Sequence, residues 1–188
     1  MKRTIFFAIL ILSISVSFSF ATDLLVPSQY ETIQEAVDAA GRGDTVIVAD
    51  GVYTGEGNTD ILISKSITVR SENGPNNCII DCNNVGRGFE VYSHDCDFEY
   101  PGPNIEGFTI TDGNSSRGGG VLVDCSEQDY TCPTITNCIV TNNFSHQQGV
   151  GISCIGGSPV ISDCLITNNF SINWGGRWYL LWGKQCTH

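Results

Sequence analysis

Asp95, Asp97 and Glu99 form the densest acidic cluster in the chain and come closest to the spacing of a metal site. Alternate residues of an extended segment point to the same side, so the three carboxylates would converge there. Carboxylate oxygens are the ligands that Ca²⁺ prefers. A solvated acidic loop has the same pattern, and we favour that interpretation over a calcium site.

A catalytic site that breaks polysaccharides would also require a base. Removing the acidified proton of a uronate calls for a Lys, Arg or His beside a neutralised carboxylate. The basic residues between positions 45 and 174 are scattered along the chain: Lys65, Arg70, Arg87, His94, Arg117 and His146. The paired-Asp and Gly-His-Gly signatures of polygalacturonases are absent, as are Gly-x-Ser-x-Gly and phosphate-binding loop motifs. We therefore predict no catalytic and no cofactor-binding residues.

Aromatic side chains offer a binding chemistry without catalysis. Tyr53, Tyr92, Phe98 and Tyr100 could form a strip on which sugar rings stack. A tyrosine ring buries a large apolar face while its hydroxyl remains available for a hydrogen bond. Aromatic residues in short β runs also commonly pack inside a protein, and that alternative stays open.

Residues 1–21 have the pattern of a signal peptide. Lys2 and Arg3 are positively charged, residues 5–20 are apolar, and Ser19 and Ala21 supply the small side chains that precede a cleavage site. We predict cleavage after Ala21. An uncleaved membrane anchor is the alternative, but the apolar run is short and contains several serines. The mature chain is then expected to be secreted or at the cell surface, without a membrane span.

The charge of the chain limits its partners. Acidic residues outnumber basic ones by 20 to 9, and the formal net charge is −11 at pH 7. The mature chain is more acidic still, because Lys2 and Arg3 leave with the leader. Such a chain repels nucleic-acid phosphates and anionic lipids, so we expect no nucleic-acid partner.

Nine cysteines in an exported chain favour disulfide bonds. Cys125 and Cys132 flank an extra segment around 127–131, and Cys82 and Cys96 bracket residues 83–95. Each pair is therefore a disulfide candidate. No Cys-x-x-Cys is present, and the spacing fits no zinc module.

One helix is predicted, at about residues 32–40. Thr32 and Glu35 form a capping box, with Ser28-x-x-Glu31 as a competing start. Apolar residues at 33, 36, 37 and 40 lie on one face of such a helix. Gly41 is predicted to end it in a left-handed conformation.

The rest of the chain consists of short β runs separated by Gly, Asn, Asp and Pro. Ten such runs lie at 45–49, 61–63, 66–70, 78–82, 88–92, 105–111, 120–124, 134–141, 151–155 and 160–167. The absence of a second amphipathic helix indicates an all-β architecture.

Internal repetition distinguishes a solenoid from a sandwich or a barrel. Residues 133–145 and 159–171 match at an offset of 26, and a weaker copy begins at Pro103. A Gly-rich run precedes each strong copy, and aligning Val121 with Ile152 gives a longer offset of 31. A unit of this length, built from short strands and turns, is one coil of a parallel β-helix. Coils that stack at about 4.8 Å bury a continuous core.

The repeat also predicts two structural ladders. Cys138 and Cys164 are equivalent, and should stack inward as small hydrophobic residues without necessarily forming a disulfide. Asn143 and Asn169 should stack at a turn, with each amide bonded to the neighbouring copy. Both asparagines also begin Asn-x-Ser glycosylation sequons, but we favour the ladder.

The residues from Val26 to Tyr53 resemble the amino-terminal cap and first coil of proteins of the pectin-lyase-like superfamily. The matching pattern is Val-Pro-x-x-Tyr-x-Thr-Ile-Gln-x-Ala-Val-Asp-Ala-Ala-x-x-Gly-Asp-Thr-Val-x-Val-x-x-Gly-x-Tyr. The Gly-Gly runs followed by Val140-x-x-Asn143 and Ile166-x-x-Asn169 are similar to repeats of bacterial secreted and surface β-helix proteins. The resemblance implies a right-handed single-stranded parallel β-helix with an N-terminal capping helix. It implies little about function, because the superfamily includes lyases, hydrolases, esterases and adhesins.

This organisation divides the chain into the leader, a cap at 22–44, coils at 45–174 and an atypical tail at 175–188. Trp174-Gly-Gly should open another Gly-rich strand, but the residues from Arg177 onward do not continue it. A frameshift or truncation is one interpretation, and an aromatic cap formed by Trp178, Leu180 and Trp182 is the other.

The expected function is that of an exported, non-enzymatic β-helix scaffold, either adhesive or carbohydrate-contacting. Its partner would be a polysaccharide or another cell-surface ligand. The alternative is a truncated polysaccharide lyase or related carbohydrate-active enzyme, which the shared cap motif keeps open.

Overall fold

The computed structural model describes residues 21–92, 102–125, 133–147, 149–157 and 159–171, together with the backbone of 180–182. These residues form a β-solenoid of about four turns with one short helix near the N-terminus. The helix α1 spans Ile33–Ala39. The strands are β1 Asp23–Val26, β2 Thr45–Val48, β3 Gly51–Tyr53, β4 Ile61–Ile63, β5 Thr68–Ser71, β6 Cys78–Asp81, β7 Phe89–Tyr92, β8 Asn104–Glu106, β9 Thr109–Thr111, β10 Asn114–Ser115, β11 Val121–Asp124, β12 Thr134–Thr136, β13 Ile139–Thr141, β14 Phe144–Ser145, β15 Ile152–Ile155, β16 Val160–Ser162, β17 Leu165–Thr167, β18 Phe170–Ser171 and β19 Leu180–Trp182.

The strands stack into parallel sheets, one strand from each coil. Sheet A has the order β1-β2-β5-β8-β12-β16, sheet B the order β3-β6-β9-β13-β17, and sheet C the order β4-β7-β11-β15-β19. A short ladder, β10-β14-β18, lies at a turn. The prediction of an all-β parallel solenoid with a helix near its N-terminus is confirmed.

The strand register follows the sequence repeat. Thr134 lies opposite Val160, and Phe144 lies opposite Phe170, both at the predicted offset of 26. The longer offset is also correct, because Val121 lies opposite Ile152. The five extra residues therefore lie between β11 and β12, and the strands on both sides of them stay in register.

Three runs that were predicted as single strands are each two strands that meet at a bend. The bends fall at Gly107, Asn137 and Asp163, which have φ angles of 80°, 51° and 55°. Glycine, asparagine and aspartate tolerate this left-handed conformation, so one residue turns the chain from sheet A to sheet B. Strands β1, β3 and β19 and the two-residue strands β10, β14 and β18 were not predicted.

The core is a set of columns that run the length of the stack. In sheet A the inward-facing residues Val46, Val69, Ile105 and Ile135 are each no more than 1% exposed. Burying one such side chain contributes about 1.5–3 kcal/mol relative to exposure. Because each coil is only one strand thick along the stack, this burial depends on the coils above and below.

The helix covers the first coil, and its start is as predicted. The Thr32 hydroxyl accepts a hydrogen bond from the Glu35 amide at 3.2 Å, and the Glu35 carboxylate accepts one from the Thr32 amide at 3.1 Å. This reciprocal pair is the capping box, and it excludes the competing start at Ser28. Ile33 and Val37 face the core and are buried.

The prediction for the end of the helix is wrong. Gly41 is not left-handed. Instead Ala40 takes the C-cap position in an extended conformation, and its amide donates to the Ala36 carbonyl. The Lys65 ammonium, from the following coil, donates to the Asp38 carbonyl at 3.0 Å and to the Ala40 carbonyl at 2.7 Å. A cation that satisfies the last carbonyls of a helix makes a left-handed glycine unnecessary.

The helix also closes the edge of sheet C, where β4 is the outermost strand. The Leu62 amide donates to Gln34 Oε1 at 2.7 Å, and Gln34 Nε2 donates to the Leu62 carbonyl at 3.3 Å. The side-chain amide therefore supplies the donor and acceptor that a neighbouring strand would supply. Covering an edge strand in this way prevents it from pairing with another chain.

The two ends of the sequence carry predictions that lie largely outside the described residues. Residues 1–20, and so the predicted signal peptide, are among these. No helix in the described part of the chain is long and apolar enough to cross a membrane. In the tail, β19 pairs with β15, so that Leu180 lies opposite Ser153 and adds a strand to sheet C.

Candidate functional site

The strongest candidate site is a polar cluster on the outer face of sheet C, formed by Asp60, Arg87, Glu90, Tyr92 and Asp124. Glu90 and Tyr92 are the outward-facing residues of β7, whose other two residues are fully buried. Asp124 lies directly opposite Tyr92 on the neighbouring strand β11. Two strands of the rigid ladder therefore fix the spacing of the cluster.

Backbone contacts between two coils hold Arg87 in place. Its amide donates to Asp60 Oδ1 at 2.9 Å, and the Asp60 amide donates to the Arg87 carbonyl at 2.6 Å. Gly86, just before it, has a φ of 66°, and a Cβ there would collide with the Asp60 carboxylate. Glycine is thus required at position 86 for Asp60 and Arg87 to approach each other.

Arg87 is clamped between two carboxylates. Its Nη1 lies 3.3 Å from Glu90 Oε1, its Nε lies 3.9 Å from Asp60 Oδ1, and the side chain is 12% exposed. Neither nitrogen makes a hydrogen bond of good geometry, so these contacts are electrostatic. A guanidinium offers hydrogen-bond donors and no acceptor, so Arg87 serves here as an ion-pair partner and not as a base.

Tyr92 completes the network by donating its hydroxyl to Glu90 Oε1 at 2.8 Å. This hydrogen bond, with partial burial, raises the pKa of Tyr92 above its ordinary value. The phenol is therefore a neutral donor at physiological pH. The cluster presents an aromatic ring, fixed carboxylates and one guanidinium, which are groups that bind a polar ligand by hydrogen bonds.

The cluster lies at the ends of strands β7 and β11, and the connections from sheet C to sheet A that follow such strands differ widely in length. Eleven residues separate β7 from β8, nine separate β11 from β12, and four separate β15 from β16. By contrast, two residues separate β8 from β9, and β12 from β13. Tyr92 and Asp124 are the last residues of the strands that precede the two longer connections.

The metal prediction and half of each disulfide prediction fall outside the described residues. Asp95, Asp97 and Glu99 are in that part of the chain, and no group of three potential metal ligands exists among the described residues. Cys96 and Cys132 are also outside them.

The described members of the two disulfide pairs, Cys82 and Cys125, are buried. Burial, reinforced by nearby carboxylates, raises the pKa of the Cys82 thiol to about 12. The bonds from Cys82 to Cys96 and from Cys125 to Cys132 stay predictions.

The other basic residues with described positions do not converge on the cluster. Lys65 binds the end of the helix, and the Arg70 guanidinium donates to the Ser71 carbonyl in sheet A. Arg117 donates to Gln147 Oε1 at a different turn. Each cation thus serves local structure on its own side of the solenoid. His94 lies outside the described residues.

Tyr53 does not belong to an exposed aromatic strip. It is 9% exposed, faces the core, and donates its hydroxyl to the Ala49 carbonyl at 3.0 Å. Its strand, β3, has only three residues, which is too short for alternation in the sequence to show which way Tyr53 faces. Tyr92 is the one member of the proposed strip that the structure describes on an outer face, since Phe98 and Tyr100 lie outside the described residues.

Asn143 and Asn169 lie one coil apart and are directly bonded. Asn169 Oδ1 accepts from the Asn143 amide at 2.9 Å and from Asn143 Nδ2 at 3.0 Å. Asn143 Oδ1 accepts from the Gly113 amide, and its Nδ2 also donates to the carbonyls of Ile110 and Thr141. Asn143 is fully buried, so its sequon is inaccessible to glycosylation in the folded chain.

The Gly-rich runs require glycine because their backbone passes close to this ladder. A Cβ at Gly120 would lie 2.6 Å from the Gly151 carbonyl oxygen and 3.1 Å from Asn143 Nδ2. A Cβ at Gly151 would lie 2.9 Å from Asn169 Nδ2. The pairing of a Gly-rich run with a ladder asparagine is therefore one packing unit that occurs in two successive coils.

The sequence contained a signal for the outer-face cluster that motif searching missed. Residues 90 and 92 alternate within a predicted strand, and Arg87 stands three residues before Glu90. The contact with Asp60 had no such signal, because the two coils involved do not repeat each other in sequence. Comparison of the chain with protein-family models, with curated proteins and with solved structures found no match.

Proposed function

We propose that the protein is an exported, non-enzymatic β-helix scaffold of the pectin-lyase-like type that contacts a polysaccharide at the cell surface. The observation that carries this proposal is the network of Arg87, Glu90 and Tyr92 on the outer face of sheet C. It joins an aromatic ring to fixed hydrogen-bonding groups, which is the combination that sugar rings and their hydroxyls require.

Rigidity supports this role. The backbone of β7 is paired on both sides, to β4 and to β11, so Glu90 and Tyr92 lose little freedom when a ligand binds. Arg87, the one cation that the described residues bring to the cluster, is held by two carboxylates, which favours binding over bond cleavage. The acidic chain would also repel polyuronates, so a neutral polysaccharide is the ligand we expect.

The test is affinity electrophoresis of the mature chain in gels that contain neutral polysaccharides or polyuronates. We expect a neutral polymer to retard the wild-type protein and expect Tyr92→Ala to abolish most of the retardation. Glu90→Gln should weaken it, because the amide does not hold both Arg87 and Tyr92. Phe170→Ala removes an aromatic side chain that is 55% exposed on another face, and it should bind as the wild type does.

Retardation that is equal in the wild type and in both cluster variants would overturn the assignment of the site. Release of unsaturated uronides, measured by ultraviolet absorbance with and without Ca²⁺, would instead favour the lyase alternative. Loss of that activity in Arg87→Ala would then place catalysis at this cluster.

A further inference from the structure

We infer that Cys138 and Cys164 are a redox-active pair that forms a disulfide between neighbouring coils. Position 138 immediately precedes β13 and position 164 immediately precedes β17, two strands that pair in parallel with Ile139 opposite Leu165. The two cysteines are therefore direct neighbours along the stack. Strand spacing of about 4.8 Å falls inside the Cα separation that a disulfide spans, about 4.4–6.8 Å.

The sulfur atoms point the same way. Cys138 Sγ lies 3.2 Å from the Thr136 carbonyl oxygen, and Cys164 Sγ lies 3.2 Å from the equivalent Ser162 carbonyl oxygen. Cys164 Sγ also reaches 3.5 Å from the Ile135 carbonyl oxygen, which belongs to the coil of Cys138. The Leu165 amide donates to the Cys138 carbonyl at 2.8 Å and fixes the two backbones at this level.

The two thiols differ in access, and this sets the order of the reaction. Cys138 is 1% exposed, whereas Cys164 is half-buried. A hydrogen bond from the Cys138 thiol lowers the pKa of Cys164 to about 7, against the opposing effect of burial. Cys164 is thus the accessible thiolate and the attacking group.

The oxidant that we propose is a small disulfide such as oxidised glutathione. Cys164 Sγ attacks one of its sulfurs, the small disulfide bond breaks, and the departing thiolate takes up the proton that Cys164 lost. Cys138 Sγ then attacks Cys164 Sγ, and the second small thiol leaves with the Cys138 proton. Two protein thiols are oxidised and one small disulfide is reduced to two thiols.

The same column of the core provides a control. Cys78 occupies the equivalent position two coils earlier, at the start of β6, with Phe108 at the level between it and Cys138. It is fully buried and separated from Cys138 by two strand spacings, about 9–10 Å, which is too far for a disulfide. Cys78 should therefore remain a thiol under conditions that oxidise the pair.

The experiment is peptide mapping of the mature chain after incubation with oxidised glutathione or with a reductant, followed by alkylation of remaining thiols. We expect peptides containing Cys138 and Cys164 to be linked in the oxidised sample and separately alkylated in the reduced one. Cys78 should be alkylated in both samples once the chain is unfolded. This comparison uses the wild-type chain, so it does not depend on a variant folding.

Two variants sharpen the result. Cys138→Ala should leave glutathione attached to Cys164 as a stable mixed disulfide, because the resolving thiol is gone. Cys78→Ala should leave the Cys138–Cys164 link unchanged. Recovery of both cysteines as free thiols after oxidation, or of either one bonded to a different cysteine, would overturn the proposal.

Discussion

The helix-covered first coil and the coil that contains β16, β17 and β18 differ in how deeply they bury their inward-facing residues. At the first end, Leu24 and Val26 are 6% and 1% exposed because α1 lies beside them. In the coil that contains β16, β17 and β18, the inward residues Ile161 and Ile166 are only half-buried. Val160, Leu165 and Phe170, on the outer side of that coil, are 50–57% exposed.

The difference does not come from the residues themselves. Ile135 and Ile161 are the same residue at equivalent positions, yet Ile135 is fully buried. The burial of a coil depends on the element packed beside it, and at the first coil a seven-residue helix takes the place of a neighbouring coil.

The largest expected effect tests this comparison directly. Ile135→Ala should lower the free energy of unfolding by about 2–5 kcal/mol, because it opens a cavity between two coils. Ile161→Ala makes the same chemical change in a half-buried side chain and should cost less than half as much. Denaturant unfolding followed by circular dichroism measures both. Equal losses would show that stacking does not determine burial energy here.

The asparagine ladder permits a second comparison between a middle coil and the last one. Asn143→Ala should cost roughly 2–3 kcal/mol, because the buried Gly113 amide and several carbonyls lose their partners. Asn169→Ala, in a half-buried side chain, should cost about 1 kcal/mol. The same unfolding assay applies, and a larger loss at Asn169 than at Asn143 contradicts the prediction.

A smaller effect is expected at the helix. Thr32→Ala removes the side-chain acceptor of the capping box and should cost about 1 kcal/mol. Hydrogen exchange should then increase in β1 and β4, next to the helix, but not in β13. Thr141→Ala, on the outer face of sheet B, is the matched control and should change stability by less than about 0.5 kcal/mol.

The last prediction requires no substitution and concerns only the rate at which two thiols are alkylated. Alkylation by iodoacetamide consumes the thiolate, so its rate at Cys164 should rise as the pH increases through about 7 and level off above it. Burial raises the pKa of Cys78 to about 12, so that thiol should react slowly across the whole range. Quantitative mass spectrometry of the two peptides gives both profiles, and parallel profiles would count against a distinct thiolate at Cys164.

Features that repeat, or that depend on neighbours in sequence, were predictable. The capping box of Thr32 and Glu35 is local, and the offset of 26 residues fixed which strands pair. The bends at Asn137 and Asp163 were missed because apolar residues continue on both sides of them. The only sign of a bend in the sequence is a residue type that tolerates a positive φ angle.

Contacts between coils that do not resemble each other were beyond sequence reasoning. Arg87 meets Asp60 across 27 positions, and Lys65 meets Ala40 across 25. Each of these contacts depends on how many residues the intervening coil contains. The sequence of a single irregular coil does not reveal that number. The outer-face cluster was therefore predictable as a strand with alternating polar residues but not as a network.

The unequal lengths of the connections between sheets C and A have a consequence for protein engineering. The strands of both sheets stay in register whether eleven, nine or four residues connect them, so this connection tolerates differences in length. Loop-closure entropy grows slowly with length, which favours such tolerance. A peptide epitope grafted between Ile155 and Val160 would be held between two paired strands, β15 and β16, which fix the separation of its ends.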